Sequence, residues 1–105
     1  MIRVIVVDDH PVVCAGMARL ISNEDDIEVI ATALDGEKAI SLDAELLPDV
    51  VLMDLSMQPV DGVEATRRIK SARPQANVLI LAATADPPHV LSAIDAGALG
   101  FLLKD

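Results

Sequence analysis

Two carboxylates stand side by side at Asp8 and Asp9, directly after the apolar run "VIVV" and directly before His10 and Pro11. A third acid, Asp54, sits between Met53 and Leu55 in "VVLMDLSM", and Lys104 follows "GFLL" near the C-terminus. If these acids share one pocket, each like-charge contact at ~4 Å and an effective dielectric near 20 costs about 4 kcal/mol. That repulsion requires an offset, either a raised pKa or a bound hard cation. Oxygen-only donors with room for water favour Mg²⁺ or Mn²⁺ over zinc, and Lys104 would add a fixed positive charge at the same edge. His10 reads as a helix-start residue rather than a ligand, and His89, beyond Pro87 and Pro88, has no evident partner. Cys14 reads as a small buried hydrophobe, and Arg67, Arg68, Lys70 and Arg73 as the solvated face of one helix.

The elements that must position these groups follow from the rhythm of the chain. Apolar runs rich in Val, Ile and Leu fall at 2–7, 27–33, 49–53, 77–81 and 99–103, a pattern suited to strands buried on both faces. Between them lie stretches with helical spacing: Val13, Met17, Leu20 and Ile21; Ala39, Ile40 and Leu47; Val63, Thr66 and Ile69; Val90, Ala93, Ile94 and Gly97. Strand and helix alternate, which predicts right-handed crossovers on a parallel sheet with helices on both faces, an α/β doubly wound fold. Asp86 before Pro87 predicts an N-cap and first-turn proline, Gly97 a helix stop, and Pro48 the end of the second helix. Pro59 and the Asp61-Gly62 pair mark a loop after the third strand. Asp8, Asp9 and Asp54 therefore fall at the C-terminal ends of two strands, where an open parallel sheet holds its ligands.

Composition limits the alternatives. The 105 residues are 52% apolar and carry a net charge of -9, with eight Lys and Arg against seventeen Asp and Glu. One folded domain spanning 1–105 is expected, and direct binding of a nucleic-acid backbone is not. A single cysteine, with no signal peptide and no membrane-length apolar run, implies a cytoplasmic chain with no membrane partner.

Taken together, "VVDDHP", "VVLMDLSM", "DG" and "GFLLKD" resemble, in order and spacing, the receiver domain of two-component response regulators. The "DDHP" start and "LLKD" end are most similar to the NarL/LuxR-type. The resemblance implies a flavodoxin-like, five-stranded sheet of order 2-1-3-4-5. It also implies that Asp54 accepts a phosphoryl group from a sensor histidine kinase, and that Asp8, Asp9, Asp54 and the Ser56 backbone carbonyl hold Mg²⁺ or Mn²⁺. Lys104 would pair with the phosphoryl oxygens, with Phe101 at the position of the family's switch aromatic. The implied protein is a homodimer that reaches DNA only through a separate C-terminal helix-turn-helix domain. It acts as a phosphoacceptor rather than an enzyme on other substrates. The family's fifth helix is absent from these residues, so the chain reads as a fragment of a longer regulator.

Two positions depart from the pattern. Where the family carries a switch Ser or Thr, counting back from Lys104 reaches Ala82, which has no hydroxyl; Thr84, two residues on, is the available substitute. The loop after Asp54 reads "MQPVDG", with Gln58 in the family's proline position and Pro59 following. An interaction module uncoupled from phosphorylation by Ala82 therefore stands as the alternative. A phosphohydrolase is a third class, but it would want an acid where Ser56 stands.

Overall fold

In the computed structural model, which describes residues 1–84 and 86–104, strand and helix alternate along the whole chain. The order is β1 (Ile2–Val7), α1 (Pro11–Ser22), β2 (Ile27–Ala33), α2 (Gly36–Leu46), β3 (Val50–Asp54), α3 (Gly62–Ala72), β4 (Val78–Ala82), α4 (Pro87–Asp95) and β5 (Gly100–Leu103). All pairings are parallel, and the sheet order is β2-β1-β3-β4-β5. Asp105 of the "GFLLKD" motif lies outside the described residues.

Each central strand contributes side chains to two faces. Ile5 and Val7 of β1, with Val51 and Met53 of β3 and Val78 and Ile80 of β4, pack on one face with Ala39, Ala65, Ile69 and Ala93 from α2, α3 and α4. Val4 and Val6 face the other way, against Cys14, Met17 and Ile21 of α1. This two-sided burial explains why the strands read as continuous apolar runs rather than alternating ones.

Several local features follow from chemistry visible in the chain. Asp35 and Asp61 accept capping bonds from the backbone N–H of Lys38 and Glu64, closing the N-termini of α2 and α3. Pro11 and Pro87 open α1 and α4, where a missing N–H costs nothing. Gly97, at φ 103°, follows α4 in the left-handed region that favours glycine. The loop after β3 carries a cis Gln58–Pro59 bond.

Some expectations shift. β3 and β4 each begin and end one residue later than the runs suggest: polar Asp49 and Asn77 precede the strands, and the ladder continues to pair Asp54 with Leu81 and Ala82 with Leu103. Leu47, expected on the buried face of α2, is instead its exposed C-cap, with a positive φ of 49°. Ile94 of α4 and Leu20 of α1 are also exposed. Leu20, Met17 and Ile21 border an open apolar groove of about 250 Å³ over Leu52, Leu81 and Leu102, which leaves part of the expected α1 face uncovered. Among the described residues, no helix is long and apolar enough to cross a membrane.

Candidate functional site

The sheet reverses its winding between β1 and β3: β2 lies on one side of β1, and β3, β4 and β5 on the other. The C-terminal edge at such a reversal leaves a crevice between diverging connections. Asp8 and Asp9 follow β1 there, and Asp54 closes β3. The strand ladder reaches past both: Asp8 N–H donates to the Ala33 carbonyl, and Leu55 N–H to the Leu81 carbonyl. These bonds fix the carboxylates on rigid backbone rather than on a free loop. Gly62 holds the far side. Its N–H donates to the Leu55 carbonyl, and a Cβ at this position would lie 2.2 Å from the Asp54 carbonyl oxygen, so only glycine lets α3 start this close to the end of β3.

Lys104 arrives from β5, whose edge places its N–H on the Ala82 carbonyl. Its ammonium lies 2.9 Å from Asp8 Oδ2 and 2.7 Å from Asp54 Oδ1, bridging two carboxylates that are almost fully buried. Asp9 is about one-third exposed, with its side chain at 33%.

The three groups respond differently to this setting. Burial works against ionisation of Asp8, but the His10 N–H and the Lys104 ammonium outweigh it and hold the carboxyl below the usual carboxylate range. Asp54 is pushed up, first by burial and then by the negative charges of Asp8 and Asp9, with Lys104 pulling the other way. Burial depresses Lys104, but Asp54 and Asp8 more than reverse this and hold its ammonium charged.

Three carboxylates against one ammonium leave the pocket short of positive charge. Two buried oxygens, Asp54 Oδ2 and Asp9 Oδ1, have no hydrogen-bond partner among the described residues. Asp9 Oδ1 lies 3.0 Å from His10 Nδ1, but without the alignment a hydrogen bond needs. Asp8, Asp9, His10 and Asp54 each present a donor atom within 4.8 Å of the others. Orphaned carboxylate oxygens beside an unbalanced negative charge fit a hard divalent cation such as Mg²⁺.

The other residues singled out in the sequence are placed less centrally. Ser56 is exposed, two residues beyond Asp54. Ala82 is buried at the end of β4, whereas Thr84 is exposed in the segment after it. Phe101 is half-buried and packs against the larger core. The basic cluster does not form a single solvated face. Arg67 and Arg68 pair with Glu64, Lys70 donates to the carbonyls of Pro74 and Ala76, and Arg73 grips buried Asp43 at 2.7 Å. His89 does have a partner, with Nδ1 2.6 Å from Asp86 Oδ1. Asp86 consequently occupies the N-cap position of α4 without making a side-chain cap bond.

The chain is similar in sequence and fold to known proteins. The response regulator receiver domain family matches residues 4–105. The transcriptional regulatory protein LiaR of Bacillus subtilis (strain 168) is 44% identical over 104 residues, covering 99% of this chain and 49% of LiaR. The signal receiver domain of NarL from Mycobacterium tuberculosis superposes with a TM-score of 0.94 at 38% identity, covering 99% of this chain and 84% of that one. A two-component response regulator of the LuxR family from Aurantimonas sp. SI85-9A1 superposes with a TM-score of 0.96 at 38% identity, over 100% of this chain and 75% of that one. The chain belongs to the response regulator receiver domain family, in its NarL/LuxR-type branch. It spans about half the length of the curated relatives it matches. Receiver domains bind Mg²⁺ through acidic residues of the kind gathered at this strand edge.

Proposed function

We propose that this chain is the phosphoacceptor module of a two-component pathway, with Asp54 taking a phosphoryl group from a sensor histidine kinase. The observation that carries the reading is the asymmetry of Asp54. Its Oδ1 is held by Lys104 at 2.7 Å, while its Oδ2 is buried without a partner among the described residues. One oxygen is anchored and the other is left as the nucleophile. Attack by Oδ2 forms an oxygen–phosphorus bond as the nitrogen–phosphorus bond of the kinase phosphohistidine breaks, and the departing imidazole takes up a proton. Lys104 faces the phosphoryl group as charge develops on its oxygens.

Asp8, Asp9, Asp54 and the Ser56 carbonyl are the groups that would hold Mg²⁺ or Mn²⁺. A bound divalent cation supplies charge neutralisation at the transferring phosphoryl. The module acts on its own acyl phosphate rather than on other substrates. Output passes through a separate DNA-binding domain in a cytoplasmic, dimeric regulator. Support comes from LiaR, which is named as a transcriptional regulatory protein, and from the LuxR-family relative.

Buried Ala82 favours one second reading. With only a methyl group at the end of β4 and Thr84 exposed beyond it, the domain accepts a phosphoryl group but couples it weakly to conformation. The acceptor is tested by reducing the phosphorylated protein with borohydride, which converts an aspartyl phosphate to homoserine, and mapping the product by peptide mass spectrometry. Homoserine at position 54 is expected; homoserine elsewhere, or none, overturns the assignment.

A further inference from the structure

We propose that His10 is a further side-chain donor of the strand-end cation site, adding one imidazole nitrogen to the oxygens of Asp8, Asp9, Asp54 and the Ser56 carbonyl and tuning the site toward borderline first-row cations such as Co²⁺ over Mg²⁺. This deepens the reading of the pocket as a cation site and rests on it. His10 occupies the N-cap position of α1, yet its ring makes no capping bond. Its N–H donates to Asp8 Oδ1 at 2.9 Å, which folds the residue back over the acids, and Pro11 starts the helix directly behind it. The ring nitrogen Nδ1 then hydrogen-bonds Asp8 Oδ1 at 3.2 Å and lies 3.0 Å from Asp9 Oδ1; taking up a cation exchanges that hydrogen bond for a bond from the Nδ1 lone pair, with the ring proton on Nε2.

A donor atom from each of Asp8, Asp9, His10 and Asp54 falls within 4.8 Å of the others. Opposite donors around one six-coordinate ion of this size stand about 4.2 Å apart, so a small contraction would bring all four onto one cation. The independent sign that the pocket takes a ligand is Asp54. Its side chain is 4% exposed, and its Oδ2 has no partner among the described residues.

The consequence is selectivity. Mg²⁺ is hard, keeps its waters and gains little from an imidazole. Affinity for nitrogen rises along the first-row series, so Co²⁺ gains a strong donor that an oxygen-only pocket would not offer. The ring is 69% exposed, and its removal does not open the core.

The test is calorimetric titration of the full chain and of His10→Ala with Mg²⁺ and with Co²⁺ at one fixed pH, alongside proton NMR of the Co²⁺-loaded parent. Because loss of even an outer-shell partner costs metal sites about 10–100-fold, His10→Ala should weaken Co²⁺ at least about tenfold. Mg²⁺ binding should be nearly unchanged. The parent should also show paramagnetically shifted, non-exchanging imidazole C–H resonances that the variant lacks. Equal weakening of both cations, unchanged Co²⁺ binding, or no shifted imidazole resonance in the parent overturns the role of His10 while leaving the Mg²⁺ site intact. Failure of the parent to take up either cation overturns the cation-site reading and this proposal with it.

Discussion

Replacing Lys104 with Met removes the one ammonium that bridges Asp8 and Asp54 while keeping most of the side-chain volume. Each of its contacts, at 2.9 and 2.7 Å, is an attraction of about 6 kcal/mol at an effective dielectric of 20. The donor atoms of Asp8 and Asp54, within 4.8 Å of each other, repel by at least about 3.5 kcal/mol on the same scale. Desolvation of the ammonium cancels much of the attraction, and breaking a buried pair from one side costs about 3–5 kcal/mol in practice. Lys104 is one-quarter exposed, which places the expected loss near the lower end, about 3 kcal/mol, or a fall in Tm of roughly 12 °C or more. The chain has no Trp or Tyr, so urea unfolding is best followed by circular dichroism, in EDTA and then in Mg²⁺. Saturating Mg²⁺ at one hundred times Kd contributes about 2.7 kcal/mol, and the variant, with the more negative pocket, should gain more than the parent. The deficit should be full where both carboxylates are ionised and should fade as pH falls through the raised pKa of Asp54. A deficit under about 1 kcal/mol, the range of an exposed pair, would rule out a buried bridging role for Lys104, as would one indifferent to both Mg²⁺ and pH.

Four other outcomes follow from the same structure. Asp54→Asn should stabilise the metal-free domain at neutral pH, because a carboxyl with a raised folded pKa lowers stability when ionised; denaturant midpoints should converge with the parent as pH falls toward 3.8, its ordinary value. Asp8, whose folded pKa is lowered, behaves oppositely: it adds stability above its unfolded pKa that is lost as pH falls through the folded one, so Asp8→Asn should destabilise the domain at neutral pH. Ala82→Thr adds a hydroxyl at the end of β4, and one hydrogen bond to a charged phosphoryl is worth about 1.5–3 kcal/mol; a roughly ten- to hundredfold larger phosphorylation-dependent shift in dimerisation is expected, and an unchanged shift would count against the reading of this position. Arg73→Met leaves buried Asp43 unpaired and should cost about 3 kcal/mol, while phosphoryl incorporation at a temperature where the variant stays folded remains at the parent level.

The sheet was legible because burial on both faces writes itself as uninterrupted Val, Ile and Leu, and the convergence of Asp8, Asp9, Asp54 and Lys104 because parallel strands share one C-terminal edge. Strand ends were less legible: the ladder continues on backbone groups through polar Asp54 and through small Ala82, neither of which continues the Val, Ile and Leu run, so side-chain pattern misplaces each boundary by one residue. The fate of the basic cluster could not be read locally, since Arg73 finds Asp43 thirty residues earlier in the chain. The His89–Asp86 pair was within reach, because a spacing of three on a helix sets two side chains side by side. The position of His10 against Asp8 and Asp9 was not, because its N-cap location predicts a capping side chain and the Asp8 carboxylate claims its backbone N–H instead.

Phosphotransfer to this pocket requires Asp54 to be a working phosphoacceptor. The most direct measurement is the intact mass of the chain after incubation with Mg²⁺ and acetyl phosphate, beside an Asp54→Asn control and a sample held in EDTA. A gain of one phosphoryl group is expected in the parent with Mg²⁺ and none in either control. An unmodified parent, or an equal gain in Asp54→Asn, would contradict that role.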